Sequence, residues 1–227
     1  MIPPPKEPQK SQVDFERERV EKVEWLAAND FLRSEHIRQA LLKVPREAFL
    51  PRLYRDYAYL EVPLPLPGEQ STISCPHSYP LFYEPLGLDR GQRFLEVGAG
   101  SGYGAAVARE IVGPDGRVVS IEIDPLTYEF ARKNLEQAGY RDVILVQGDG
   151  RLGYSSLSPY DRIAITAAAR AFPPALLDQL AVGGKLIGPV WEGEKQILVL
   201  LEMLPEGIQR HRLGEVLYVP LRGASEE

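Results

Sequence analysis

Residues 71–80 read STISCPHSYP, which puts three serines, a threonine, the sole cysteine and one of three histidines into ten positions. Such a loop could hold a metal, carry a nucleophile, or cradle the charge of another molecule. Zinc takes four ligands, and Cys75 and His77 supply only two, with no further ligand beside them in sequence. The expectation is therefore no metal. No Lys or Arg flanks Cys75 to lower its thiol pKa, and a lone cysteine is most often a small buried residue. A Ser–His hydrolase would need a GxSxG elbow, which this loop lacks; Ser101, in GAGSGYG, lies in a glycine loop instead.

That glycine loop, EVGAGSGYGA, follows an apolar run and precedes a helical pattern. Gly98, Gly100 and Gly102 give GxGxG, and Gly100, Gly102 and Ala105 also satisfy GxGxxG/A. Glycine lets backbone approach a ligand closely, but the spacing alone does not separate a dinucleotide from another nucleoside. Three acids sharpen the reading. Glu122 ends the next strand, about 20 residues on, where an acid accepts ribose hydroxyls. Asp149, in QGDGR, ends the third strand, where its carboxylate can meet an adenine amino group. Glu96 stands just ahead of Gly98. An acid-rich pocket repels a pyrophosphate and suits the sulfonium of S-adenosylmethionine, so these residues favour a methyltransferase over a dehydrogenase.

The elements that must position these groups can be read along the chain. DFERERVEKVEWLAA has helical spacing, and a second helix starts at Ser34 and stops before Pro45. Residues 45–92 are Pro- and Tyr-rich without a sustained period, which is uncommon unless the stretch serves a site; a short helix is expected near Ser78–Leu86. From residue 93, RFLEV, GRVVSIEID, DVILVQGD, YDRIAITAA and GGKLIGPV read as strands, with helices between them at YGAAVAREIV, LTYEFARKNLEQAG and PPALLDQLA. KQILVLLEML and EVLYVPL follow as strands with no helix between them. This alternation predicts a doubly wound α/β fold, a seven-stranded mostly parallel sheet with an antiparallel edge. Residues 1–12 are expected to be a mobile Pro-rich tail, 13–92 an N-terminal helical cover, and 93–227 the nucleoside-binding core.

Composition sets limits. The net charge of −6 argues against a general nucleic-acid binder. No apolar run approaches the roughly 20 residues of a membrane span. MIPPPKEPQK lacks the apolar stretch of a secretory signal. One cysteine excludes an internal disulfide and suits a reducing cytosol. Two asparagines, Asn29 and Asn134, are weakly consistent with a heat-adapted source. The expectation is a cytoplasmic monomer without nucleic-acid or membrane partners.

The motifs VPREAFLP (44–51), STISCPH (71–77), LEVGAGSGYGAA (95–106), GDGRLGY (148–154), PYDRIAITAAA (159–169), PPALLDQLAVGGKLIGPV (173–190) and LYVPL (217–221) together resemble the protein-L-isoaspartate (D-aspartate) O-methyltransferase family. The resemblance spans about residues 34 to 221. It implies methyl transfer from S-adenosylmethionine, leaving S-adenosyl-L-homocysteine, to the α-carboxylate of L-isoaspartyl residues in damaged proteins and peptides. The ester then closes to a succinimide and reopens partly to aspartate. It implies that Ser74 lies at the catalytic centre, that Thr72, Ile73, Ser101, Gly148, Gly150 and Thr166 join the glycines and acids around the cofactor, and that His77 and Val219 line the substrate site. The substrate carboxylate is already ionised near neutrality, so no general base is required. Small residues at Ala167 and Ala168 leave room for a peptide, and the Asn/Asp-Pro-Pro-aromatic motif of amino-methylating nucleic-acid enzymes is missing there. Arg170, where many members have proline, and Trp191, where glycine is common, depart from the pattern. Two rivals stay open: another acceptor, such as a small molecule or RNA, and a non-catalytic scaffold that keeps the pocket.

Overall fold

Short apolar runs rich in Val, Ile and Leu form the central strands, and the computed structural model describes residues 2–223 of the chain. Met1 and residues 224–227, the outer ends of the expected tail and core, lie outside the described residues. Strands β3 (Arg93–Val97), β4 (Arg117–Glu122), β5 (Ile144–Gln147), β6 (Tyr160–Ile165) and β7 (Leu180–Glu192) follow β1 and β2, two short strands in the cover described below. They alternate with helices α4 (Tyr103–Val112), α5 (Pro125–Gln137) and α6 (Pro174–Asp178), which follow α1–α3 of the cover. Strands β8 (Lys195–Leu204) and β9 (Gly207–Val216) close the chain's last hairpin. The seven-stranded sheet has the order β5-β4-β3-β6-β7-β8-β9, parallel through β7 and antiparallel at β8 and β9. The chain therefore reverses its direction of growth at β3, and a ligand crevice opens beyond the strand ends at such a point. Register matters here: Val97 pairs with both Ile121 and Ile165. The next residues, Gly98, Glu122 and Thr166, thus emerge side by side.

Alternate residues of each strand face opposite layers. Phe94, Val118 and Ala164 pack under the N-terminal cover, while Leu95, Val97, Val119, Ile121, Ile163 and Ile165 fill the other face. The cover consists of α1 (Gln12–Ala28), α2 (Glu35–Lys43), two 3-10 turns, the ribbon of β1 (Leu64–Pro65) and β2 (Thr72–Ile73), and α3 (Ser78–Leu86). Ser11 and Asp14 close α1 with a capping box. Ser34 stands at the N-cap of α2, but its hydroxyl donates to Glu84 Oε2 at 2.7 Å, so it ties α2 to α3 rather than capping.

Three expectations need correction. The Pro-rich N-terminus does not hang free: Lys6 N donates to Leu53 O (3.0 Å), and buried Asp56 accepts from Gln9 N (3.0 Å) and Lys10 N (3.2 Å). The last strand is Gly207–Val216, not EVLYVPL. A turn at Pro205–Glu206 sends the polar segment back along β8, and residues 217–221 leave the sheet towards the crevice. Helix α6 ends at Asp178, because buried Gln179 turns to accept from Tyr154 N and donate to Leu152 O.

Candidate active site

A cavity of about 820 Å3 opens beyond the strand ends, within the size range of small-ligand sites. Its floor is the glycine turn. Gly98 has φ +97°, and a Cβ there would overlap Thr166 Oγ1. That hydroxyl donates to Gly98 O (2.8 Å) and Val97 O (3.0 Å), so the β6 end clamps the turn leaving β3. Gly102, with φ +83°, begins α4. Ser101 is buried; its Oγ accepts from Tyr103 N, and its carbonyl accepts from Asn134 Nδ2 at 2.9 Å. Two buried acids flank the turn. Glu122 accepts from Gly100 N (2.9 Å) and Asp124 N (3.0 Å), and burial raises its pKa against those hydrogen bonds. Glu96 accepts from Ser120 Oγ at 2.6 Å, and burial pushes its carboxyl up to about 8. A Cβ on Gly104 would overlap this carboxyl, so the helix start lies directly against it. Among the described residues, no Lys or Arg forms an ion pair with either acid. Buried acids without a cation of their own, one of them held protonated until a positive charge ionises it, beside a turn that only glycine can make, fit a nucleoside that carries positive charge.

The facing wall is the loop after β2. Thr72, Ile73, Ser74 and His77 all line the cavity. The ribbon is pinned to the start of α5, where Thr127 Oγ1 donates to Pro67 O at 2.6 Å. Arg46 holds it from below. This guanidinium is buried, donating to Ser74 O (2.6 Å) and Ala58 O (2.7 Å) between the rings of Tyr79 and Tyr103. His77 Nδ1 meets Glu61 Oε2 at 2.6 Å, and Glu61 Oε1 accepts from Lys22 Nζ at 3.0 Å. The Cys75 thiol is half-buried, and burial, then the Glu61 charge, push its pKa up. It is therefore a poor nucleophile.

Of the other expected site residues, Glu96, Gly98, Gly100, Ser101, Glu122, Gly150, Thr166, Ala167 and Val219 also line this cavity. Gly102, Gly148, Asp149 and Ala168 do not line it. Arg151 forks onto the Asp149 carboxylate, with Nη2–Oδ2 at 2.9 Å. Ala168 instead exchanges hydrogen bonds with the last segment: its N–H donates to Val219 O (2.7 Å), and its carbonyl accepts from Leu221 N (2.8 Å). Ala167 and Val219 thereby share one wall. Arg170 is exposed, and Trp191 N donates to Ala169 O at 2.9 Å. Sequence reasoning missed Arg46, Glu61 and Tyr218. Tyr218 lines the cavity, held by Gln196 through both its backbone N–H (2.6 Å) and carbonyl (3.0 Å). For Arg46 the only signal was its place inside VPREAFLP.

Comparison with known proteins agrees with this geometry. Residues 17–226 match the family model described as protein-L-isoaspartate(D-aspartate) O-methyltransferase (PCMT). A Methanopyrus kandleri protein-L-isoaspartate O-methyltransferase is 46% identical, over 92% of this chain and 93% of its own. An Archaeoglobus fulgidus protein-L-isoaspartate O-methyltransferase 1 is 45% identical over 84% and 87%. A solved protein-L-isoaspartate O-methyltransferase superposes with TM-score 0.84 at 35% identity, covering 90% of this chain and 66% of that one. A Plasmodium falciparum structure carrying the PCMT designation, in complex with S-adenosyl-L-homocysteine, shares the fold with TM-score 0.80 at 24% identity, over 89% of this chain and 97% of that one. With the family model covering nearly the whole chain and close relatives matched over most of their length, the chain belongs to the protein-L-isoaspartate(D-aspartate) O-methyltransferase family.

Proposed function

We infer that this chain methylates the free α-carboxylate of L-isoaspartyl residues in damaged proteins and peptides, with S-adenosylmethionine as donor. The observation that carries the reading is one cavity with two unlike halves: a glycine turn with buried acids, and a hydroxyl-bearing loop at Ser74. Gly98, Gly100 and Ser101 supply backbone for the nucleoside, Glu122 supplies acceptors for its ribose, and Glu96, protonated to about pH 8 in the fold, gives its proton to solvent and ionises when the positive end binds beside it. When bound, the donor offers an electrophilic methyl carbon, to which the substrate carboxylate oxygen bonds as the carbon–sulfur bond breaks. Nothing in this step requires proton removal, because the carboxylate is ionised near neutrality. The protein's work is to hold the carboxylate oxygen in line with the methyl group, out of water. Ser74 is suited to that work, since its hydroxyl orients an anion without adding a competing charge. Ala167 and Val219, close together on the wall, leave a passage for extended peptide backbone. The ester product closes to a succinimide, which reopens partly to aspartate.

The test is methylation of an isoaspartyl peptide beside its aspartyl twin. Transfer to the first alone is expected. Donor binding without transfer to either would leave a scaffold; transfer to RNA or a small molecule instead would reassign the acceptor. The single cysteine supports a reducing, cytoplasmic setting, and no helix among the described residues is long and apolar enough to cross a membrane. A monomer is the working form on this reading, to be checked by light scattering.

A further inference from the structure

We propose that Glu61, Cys75 and His77 form a binding site for a thiophilic divalent ion such as Zn2+ in the wall of the active-site cavity, and that the bound ion blocks the substrate loop. The sequence offers only two donors here; the fold brings the third across from before β1. One donor atom from each residue lies within 4.8 Å of the others. The set is one sulfur, one imidazole nitrogen and one carboxylate oxygen. Zinc takes these ligand types, and three protein ligands leave its fourth position open.

The donors are individually oriented. Lys22 occupies Glu61 Oε1 at 3.0 Å and leaves Oε2 turned to His77 Nδ1 at 2.6 Å. Lys22 itself lies over the Trp25 ring, 4.5 Å from its centroid. Phe31 packs against the His77 ring, centroids 5.1 Å apart. Arg46 fixes the Ser74 carbonyl at 2.6 Å, and Ser78 N donates to Cys75 O at 3.0 Å, so the backbone on both sides of the thiol is tied. Four-coordinate zinc, with bonds of about 2.0–2.3 Å, needs donors roughly 3.3–3.8 Å apart. The three side chains therefore need shifts of only about 1 Å, with the Glu61–His77 pair opening to admit the ion.

The charges and protons balance. The thiol gives its proton to solvent on binding. In the metal-free site the His77 Nδ1–H faces Glu61 Oε2, so metal binding must take that proton off Nδ1, leaving the imidazole protonated on Nε2 alone, to free the Nδ1 lone pair. Thiolate and carboxylate together neutralise the ion, and nothing is oxidised or reduced. Cys75 and His77 both line the cavity. An ion between them stands one residue from Ser74, in the path of a substrate carboxylate, and would itself capture that anion in a non-reactive pose. This blocking consequence rests on the proposed function; metal binding does not.

Co2+ is the probe. The chain has one cysteine, so a thiolate-to-cobalt charge-transfer band can come only from Cys75. Titration of the full-length protein should give that band with the visible spectrum of four-coordinate cobalt, saturating at a single equivalent and displaced by Zn2+. Cys75→Ser and Cys75→Ala should abolish the band. Glu61→Gln should weaken binding by at least the roughly 10–100-fold that loss of an outer-shell partner costs. Methylation of an isoaspartyl peptide should fall with added Zn2+, return with a chelator, and resist Zn2+ in Cys75→Ser, whose metal-free rate should match wild type. A missing band, or one that survives in the cysteine variants, removes the site. A band with undiminished methylation removes the blocking role. Absence of methylation in metal-free wild type counts against the proposed function and leaves the spectroscopic result standing.

Discussion

Replacing Arg46 with methionine tests whether a buried cation under the substrate loop positions it. The side chain donates to two backbone carbonyls, Ala58 O at 2.7 Å and Ser74 O at 2.6 Å. Hydrogen bonds from a charged donor contribute about 1.5–3 kcal/mol each, so the gross loss is about 3–6 kcal/mol. Part of this is returned. Arg46 Nη1 is buried without a hydrogen-bond partner among the described residues, and removing an unsatisfied polar group relieves about 1–3 kcal/mol. Methionine also keeps most of the volume between Tyr79 and Tyr103. The expected net destabilisation is about 3 kcal/mol, or roughly 6–12 °C in Tm for a chain of this size. Urea unfolding measures the first quantity. The functional reading needs a second: the Ser74 carbonyl loses its anchor, so kcat/KM on an isoaspartyl peptide should fall about tenfold or more, while calorimetric affinity for S-adenosyl-L-homocysteine changes less. Arg46→Lys, which can reach one carbonyl but not fork to both, should fall between. Wild-type stability in Arg46→Met would refute the energetic argument. Lost stability with unchanged kcat/KM would reduce Arg46 to scaffolding.

Ser74→Ala should lower kcat/KM by roughly 5- to 150-fold, equivalent to about 1–3 kcal/mol for one orienting hydrogen bond, with cofactor affinity intact; steady-state methylation beside a binding titration checks both. Glu122→Ala should weaken S-adenosylmethionine binding by about 1–3 kcal/mol, and unchanged calorimetric affinity would take Glu122 out of the site. Glu96 holds its proton up to about pH 8 in the fold and loses it near 4.5 when unfolded, so the folded state binds the extra proton in that window. Stability from this group therefore declines as pH rises from about 4.5 to about 8, and Glu96→Gln should flatten that decline in urea midpoints measured across the window.

Where the sequence was informative, local rules and tertiary placement agreed. Strand ends fix the glycine turn, Glu122 and Thr166 through register, and register follows from apolar runs of matching length. The helix at Ser78–Leu86 was legible within an otherwise irregular stretch because Gly87, in a left-handed conformation, ends it. Strand β9 was not legible: as an exposed edge, GIQRHRLGEV needs no apolar alternation, and the more apolar EVLYVPL drew the assignment instead. Arg46 was silent because a single arginine in sequence reads as surface; only packing between two tyrosines makes it interior. Glu61 escaped for a different reason. Its partners at 75 and 77 lie across the β1–β2 ribbon, which residue spacing does not reveal.

The segment of residues 213–222 carries a consequence for synthesis. It supplies one wall of the cavity, and Ala168 holds it by two backbone hydrogen bonds. The glycine turn, both acids and Ser74 all leave the ribosome well before it. During translation the nascent chain can fold the parallel strands and form the nucleoside floor while the peptide channel still has an open side. On the proposed function, the peptide channel is therefore walled on all sides only after residues 213–222 have docked against Ala168.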